Sequence, residues 1–238
     1  MRSTPFRTPS GQAVSAVTAE QMRAVDRVAV EEVGLELLQM MENAGRTLAA
    51  QVQEVGYDPV IVVAGSGGNG GGGLACARHL ANHEVQVGIV LDRNPEELPG
   101  AAKTQQEILD EMEIPIGVGT DALEKCHDAA VLVDALIGYG LEGTVRGRAR
   151  DLVVELNRLE TPVVSLDVPS GIDATSGDTD GVAVDPELTL TLALPKTGLT
   201  AVSGSLALAD IGIPRTVYDR LGIDYAMPFG TRSRVDLE

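Results

Sequence analysis

Cysteine is almost absent from this 238-residue chain, which carries only Cys76 and Cys126. Two thiols so far apart make neither a disulfide framework nor a metal-binding pair. Histidine is nearly as scarce. His79 and His83 stand four apart on an expected helix, a zinc-compatible spacing, but no third ligand lies nearby and they read as ordinary helix histidines. No apolar run approaches the roughly 20 residues that a membrane-crossing helix needs, so a soluble protein is expected. Residues 1–15 hold two arginines but no apolar core followed by a small-residue cleavage site, which argues against a secretory leader and leads us to expect a cytoplasmic location. Lysine occurs only at positions 103, 125 and 196, the net charge is −17 and the pI is about 4.5. With no basic run to offset that charge, the chain repels phosphate backbones, and nucleic acid is not an expected partner. Acidic residues are spread along the whole length instead of gathered in a tail. That balance suggests a halophilic, high-salt cytoplasm.

What the chain does have is a repeating alternation of apolar runs and helical patterns. Residues 1–15, rich in Ser, Thr, Pro and Gln, read as a loose arm, and 16–238 as one domain. Thr18 and Gln21 form a capping-box pair, after which Met22, Val25, Val28 and Ala29 recur at helical spacing. A second helix is expected to carry Leu35, Leu38, Met41, Ala44 and Leu48 on one face. From Pro59 onward strand and helix alternate: VIVVAG, LACARHLA, VQVGIVL, a helix near Ala101–Met112, VLVDAL, a helix near Arg148–Leu159, and PVVSLDVP. Unbroken β-branched runs between helices indicate strands buried on both faces, hence a parallel sheet with right-handed crossovers. The expected fold is α/β, a Rossmann-like three-layer αβα sandwich with a mostly parallel sheet. LTLTLALP alternates Thr with Leu and is expected to be half exposed. It and SLALADIGIP would then be edge strands.

Four segments at strand ends can carry chemistry. The run Gly65-Ser66-Gly67-Gly68-Asn69-Gly70-Gly71-Gly72-Gly73 follows a buried strand and opens a helix. There glycines let backbone N–H groups approach a phosphate, and the run is expected to form a ligand-facing turn. Asn69 is its only long polar side chain. Asp134 closes the strand VLVDAL, where a carboxylate must be hydrogen-bonded, paired or bound to a cation. Asp167 precedes a Pro-Ser-Gly turn containing Ser170; two carboxylates and a serine on one sheet edge suit a hard cation, although an Asp that only orders its own turn is the plainer alternative. Lys196, one of three lysines, ends the apolar run LALP and is placed to pair with Asp167 or to remain a solvated loop residue. No acidic residue beyond Asp92 stands out as a ribose ligand, which disfavours a dinucleotide-dependent oxidoreductase.

In this order, Met40-Met41-Glu42-Asn43-Ala44-Gly45, the glycine run, Asp134-Ala135-Leu136-Ile137-Gly138, Asp167-Val168-Pro169-Ser170-Gly171 and Pro195-Lys196-Thr197-Gly198 resemble the YjeF N-terminal domain family, over roughly Ala16–Ile213. The resemblance implies a usually dimeric Rossmann-like enzyme, an NAD(P)H-hydrate epimerase. Such an enzyme interconverts the R and S forms of hydrated NADH or NADPH for a separate S-specific dehydratase. It also implies a potassium ion held by Asn69, Asp134 and Ser170, and substrate contacts from Gly68, Asn69, Gly70, Gly71, Gly72, Gly138, Tyr139, Gly140, Leu141, Glu142, Gly143, Thr144 and Asp167. Asp167 is expected as the general acid/base and Lys196 as the group tuning or sharing its proton. The family loop reads G-x-G-N-N-G-G-D-G. Here Gly68 replaces the first Asn and Gly72 the Asp, which is expected to remove two polar groups from the pocket. A catalytically silent binding protein on the same scaffold is the alternative reading.

Overall fold

A computed structural model describes residues 5–238. Its centre is an eight-stranded sheet ordered β10-β9-β8-β7-β6-β3-β4-β5, parallel throughout except for the antiparallel edge strand β10. The strands are β3 (Val60–Ala64), β4 (Val87–Leu91), β5 (Ile116–Val118), β6 (Val131–Ala135), β7 (Val163–Leu166), β8 (Leu188–Leu192), β9 (Ser205–Ala209) and β10 (Arg234–Leu237). In β3, Val60, Val62 and Ala64 pack on one face while Ile61 and Val63 pack on the other. That double burial is why the run contains no polar residue. The first face is covered by α2 (Leu37–Val55), α3 (Gly68–Asn82) and α4 (Gly100–Glu111), the second by α5 (Thr120–Leu123) and α6 (Gly147–Arg158). The result is the three-layer sandwich expected from the sequence.

The order reverses between β3 and β6: the chain proceeds from β3 to β4 and β5 on one side, then returns to β6 and builds outward on the other. Such a switch point leaves a crevice beyond the carboxyl ends of the strands. Helix α1 (Ala19–Arg27) starts at the expected capping box, Thr18 Oγ1 accepting from the Gln21 N–H at 3.2 Å, and runs into a π-helical segment, Val28–Val33. Met22, Val25, Val28 and Ala29 pack on Ala193, Leu194 and Ile211, so α1 roofs one side of that crevice. The short helix α7 (Arg215–Arg220) adds Val217 and Tyr218 to the same cluster.

Three expectations are corrected. Residues 5–15 are not a loose arm, although 1–4 lie outside the described residues. They form a hairpin of β1 (Phe6–Arg7) and β2 (Ala13–Val14), with Phe6 and Val14 buried against the β9–β10 side and Arg7 exchanging backbone hydrogen bonds with Glu238 at 2.9 and 2.8 Å. Strand β8 is interior rather than half exposed, because Thr189 and Thr191 are themselves buried. On α2, Leu38 is 40% exposed, and Met40 faces inward beside the expected Met41.

Candidate active site

The glycine run is mostly helix. Only Gly65-Ser66-Gly67 turns the chain, and α3 begins at Gly68. Glycines are required by close approach: a Cβ on Gly65 would lie 2.2 Å from the Leu136 carbonyl oxygen, and one on Gly70 1.8 Å from that of Gly65. The β3 and β6 exits therefore touch backbone to backbone. Asn69, at the start of α3, is brought within reach of the loop after β6. A Cβ on Gly138 would stand 3.0 Å from Asn69 Oδ1 and 2.7 Å from Asp167 Oδ2, so the missing side chain leaves room where these two groups converge.

Asp134 is fully buried on β6. Its Oδ1 accepts from Ser170 Oγ at 2.6 Å and the Leu136 N–H at 3.2 Å; its Oδ2 accepts from Ser165 Oγ and the Ser170 N–H, both at 2.9 Å. Burial raises its affinity for a proton and these bonds oppose that rise, with no cationic side chain contributing. Among the described residues Asn69 Nδ2 is buried without a hydrogen-bond partner. The amide could equally present its oxygen there, since the two ends of an Asn side chain are assigned from their partners. A buried carboxylate balanced only by neutral donors, beside a serine hydroxyl and an unsatisfied amide, fits a monovalent hard cation. Among the described residues no three His, Cys, Asp or Glu side chains gather to hold a metal, so such an ion rests on one carboxylate and neutral oxygens.

Asp167 follows β7 at φ 70°, with the Val168 N–H bonded to the Leu166 carbonyl at 3.0 Å. Ala193 repeats the turn after β8 at φ 62°, with the Leu194 N–H on the Leu192 carbonyl at 2.7 Å. These tight turns aim Asp167 into the crevice and bring Lys196 back toward it. Lys196, with 0% exposure, donates to Asp167 Oδ1, to the Leu192 carbonyl at 2.9 Å and to Thr191 Oγ1 at 3.4 Å, which occupies all three of its donors. Asp167 Oδ2 accepts the Tyr139 N–H at 2.8 Å.

Asn69, Tyr139, Asp167 and Lys196 line a cavity of about 930 Å³ at the switch point, whereas Asp134 and Ser170 are not among its lining residues. Although the chain is strongly acidic, six cationic side chains face this cavity against four carboxylates. Arg93 and Arg148 both bond Asp92 at its wall, Arg146, Asp167 and Lys196 also line it, and Ser66–Asn69 line it at the α3 N-terminus. That arrangement suits a ligand with phosphate groups. Asp92 is engaged by Arg93 through two bonds of 2.9 and 2.8 Å.

The family described as YjeF-related protein N-terminus matches residues 37–198, a span that contains the whole of this strand-end constellation except α1. The chain belongs to that family. It is 45% identical over 233 residues to an NAD(P)H-hydrate epimerase of Dehalogenimonas lykanthroporepellens, covering 94% of this chain and 93% of the relative. An NAD(P)H-hydrate epimerase of Truepera radiovictrix is 39% identical, with 87% and 94% covered. A bifunctional NAD(P)H-hydrate repair enzyme of Salinibacter ruber is 37% identical, and this chain spans 42% of its length. The crystal structure of yeast ynu0, YNL200c superposes with a TM-score of 0.81 at 24% identity, covering 94% of this chain and all of the other, which supports the fold.

Within this YjeF-type site several expected contacts fall elsewhere. Gly70, Gly71 and Gly72 do not line the cavity: Cβ atoms there would meet the Gly65 carbonyl, the Met41 side chain at 2.7 Å and Leu166 Cδ2 at 2.9 Å. Of the two departures from the family loop, Gly68 lines the cavity and Gly72 does not. Gly138, Tyr139 and Gly140 line it, whereas Leu141, Glu142, Gly143 and Thr144 do not. Glu142 instead pairs with Arg23 of α1 at 3.6 Å and Thr144 Oγ1 bonds Asp180 at 2.9 Å, outside the cavity. Sequence reasoning missed Asp26, whose carboxylate accepts the Tyr139 phenol. Its one signal was a carboxylate four residues after Met22 on the otherwise apolar face of α1.

Proposed function

We propose that this chain is an NAD(P)H-hydrate epimerase, interconverting the R and S forms of hydrated NADH or NADPH. The observation that carries the reading is the buried Asp167–Lys196 pair opening onto a cavity with cationic walls, in a chain nearly half identical to an epimerase. The hydrated carbon of such a substrate bears a hydroxyl and is bonded to the ring nitrogen. Epimerisation therefore needs a proton donor and acceptor within hydrogen-bond reach of that hydroxyl. Asp167 fills the role, held by the Tyr139 N–H on one oxygen and Lys196 on the other. Lys196 tunes Asp167 and does not itself reach substrate, because its donors are committed. The arginines and the N-terminus of α3 hold the diphosphate and orient the ring.

Asn69, Asp134 and Ser170 would hold a potassium ion. When bound, the ion would supply positive charge that balances the Asp134 carboxylate. A rise in thermal midpoint on adding potassium, absent in Asp134→Asn, tests that assignment without reference to activity. A homodimer in the cytoplasm and a functional link to a separate S-specific dehydratase complete the proposal, the latter supported by the names of the bifunctional relatives.

The decisive experiment incubates the protein with the R-hydrate of NADH, potassium and an S-specific dehydratase. NADH should return faster than by spontaneous epimerisation, and Asp167→Asn should abolish the gain. Recovery at the spontaneous rate with the unaltered protein would favour a silent binding protein.

A further inference from the structure

Asp26 lines the same cavity as Asp167 but comes from α1, on the roof, rather than from a strand end. Its Oδ2 accepts the Tyr139 phenol, while its Oδ1 makes no hydrogen bond among the described residues and is left for the cavity. Tyr139 ties the two carboxyls together: its main-chain N–H goes to Asp167 and its phenol to Asp26, so they are held apart by the length of one tyrosine. The Lys196 ammonium sits 5.7 Å from the centre of that ring with its donors turned to the Asp167 side. We propose that Asp26 is a second catalytic residue, exchanging a proton with the hydroxyl on the ring face that Asp167 does not serve.

The inference rests on the epimerase reading and on the chemistry of inversion. An R hydroxyl and an S hydroxyl point to opposite faces of the ring, so a single carboxyl on one face meets only one of them. With two, the balance closes. Asp26 gives its proton to the hydroxyl on its side; the C–O bond breaks as the nitrogen lone pair forms C=N, and water leaves. Another water adds from the Asp167 side, the C=N pair returns to nitrogen, and Asp167 takes the proton released. Asp26 ends ionised and Asp167 protonated, and the reverse reaction or exchange with solvent resets them. The starting states suit this order. Burial raises the proton affinity of Asp26, and nearby Asp167 adds to that, while the Tyr139 bond and Lys196 oppose it; Tyr218 of α7 also lies near it, and Arg23, Arg27 and Glu31 line the same cavity. Asp167, by contrast, is paired with an ammonium.

The test takes one epimer of NADH hydrate at a time in ¹⁸O-labelled water, following inversion by chromatography and label uptake by mass spectrometry. The unaltered protein should invert each epimer with label incorporated. Asp26→Asn should lose inversion by about 100-fold or more, while still exchanging label with retention in the epimer whose hydroxyl faces Asp167. Inversion by Asp26→Asn at the unaltered rate overturns the proposal, as does loss of both inversion and retained exchange in a folded variant that still binds the hydrate. Tyr139→Phe guards against a folding defect in Asp26→Asn. Removing the bond that lowers the proton affinity of Asp26 should move one limb of the pH profile for inversion upward, and an unmoved limb overturns the proposal. No acceleration by the unaltered protein sinks the epimerase reading itself, a result distinct from acceleration that is indifferent to Asp26.

Discussion

Asp134 and Asp167 stand at the ends of neighbouring parallel strands, both almost wholly removed from solvent, and they are held in opposite ways. Asp134 is surrounded by neutral donors: two hydroxyls and two backbone N–H groups. Asp167 has a buried ammonium on one oxygen and a single N–H on the other. The first keeps an unbalanced negative charge and suits an added cation. The second is a closed ion pair whose charge is balanced before any ligand arrives. In the proposed function, one sheet edge would separate holding from reacting.

The sharpest way to break that contrast is Lys196→Met. It leaves Asp167 buried and uncompensated, a change expected to remove about 3–5 kcal/mol of stability. Denaturant unfolding should show this, and the double variant Lys196→Met with Asp167→Asn should recover much of it; no recovery would mean that the pair does not act as a unit. Next comes Asp134→Asn. The Leu136 and Ser170 N–H groups bond different oxygens of Asp134, so an amide must turn its NH₂ toward one of them. A loss of about 2–3 kcal/mol is expected, lowering the thermal midpoint by roughly 4–12 °C. An unchanged midpoint would show that the carboxylate is not satisfied as described.

A smaller effect concerns pH. The proton affinity of Asp134 is raised in the folded protein, so its contribution to stability is present below the ordinary aspartate value of 3.8 and is lost as pH rises through the raised one. Stability of the unaltered protein relative to Asp134→Asn should therefore decline over that window in potassium-free buffer. A flat difference would contradict the assignment. Ser165→Ala should do least, removing one of four bonds to Asp134 for about 1 kcal/mol, with epimerisation unchanged.

The sheet was largely legible because β3 and β6 are buried on both faces and tolerate no polar residue except Asp134, which the structure then satisfies. Where polarity and burial part company the reading failed. Thr189 and Thr191 made β8 look half exposed, yet both are buried, and Thr191 helps to hold Lys196. β10, with Arg234 and Asp236, gave no apolar run to find. The β1–β2 hairpin is fixed by bonds to Glu238 at the other end of the chain, a partner that no local pattern reveals. At the site, Asp134, Asp167, Ser170 and Lys196 were singled out because each lies at the end of an apolar strand or in the turn that follows one. Asp26 comes from a helix outside the sheet, and only the tertiary packing of α1 brings it to Tyr139.

Helix α3 begins with five glycines among its first six residues. Each is less favourable in a helix interior than alanine by about 1 kcal/mol, so this stretch has almost no tendency to coil by itself. From Gly70 to Gly73 its shape is imposed by neighbours: Ala135, Leu166, Met41 and the β3 exit leave no space for a Cβ, whereas Gly68 is open. The first turns of α3 thus depend for their shape on β3, β6, β7 and α2 packed around them. Asn69 lies within that turn, so its position is tied to the packing of the whole sandwich and not to any local helical preference.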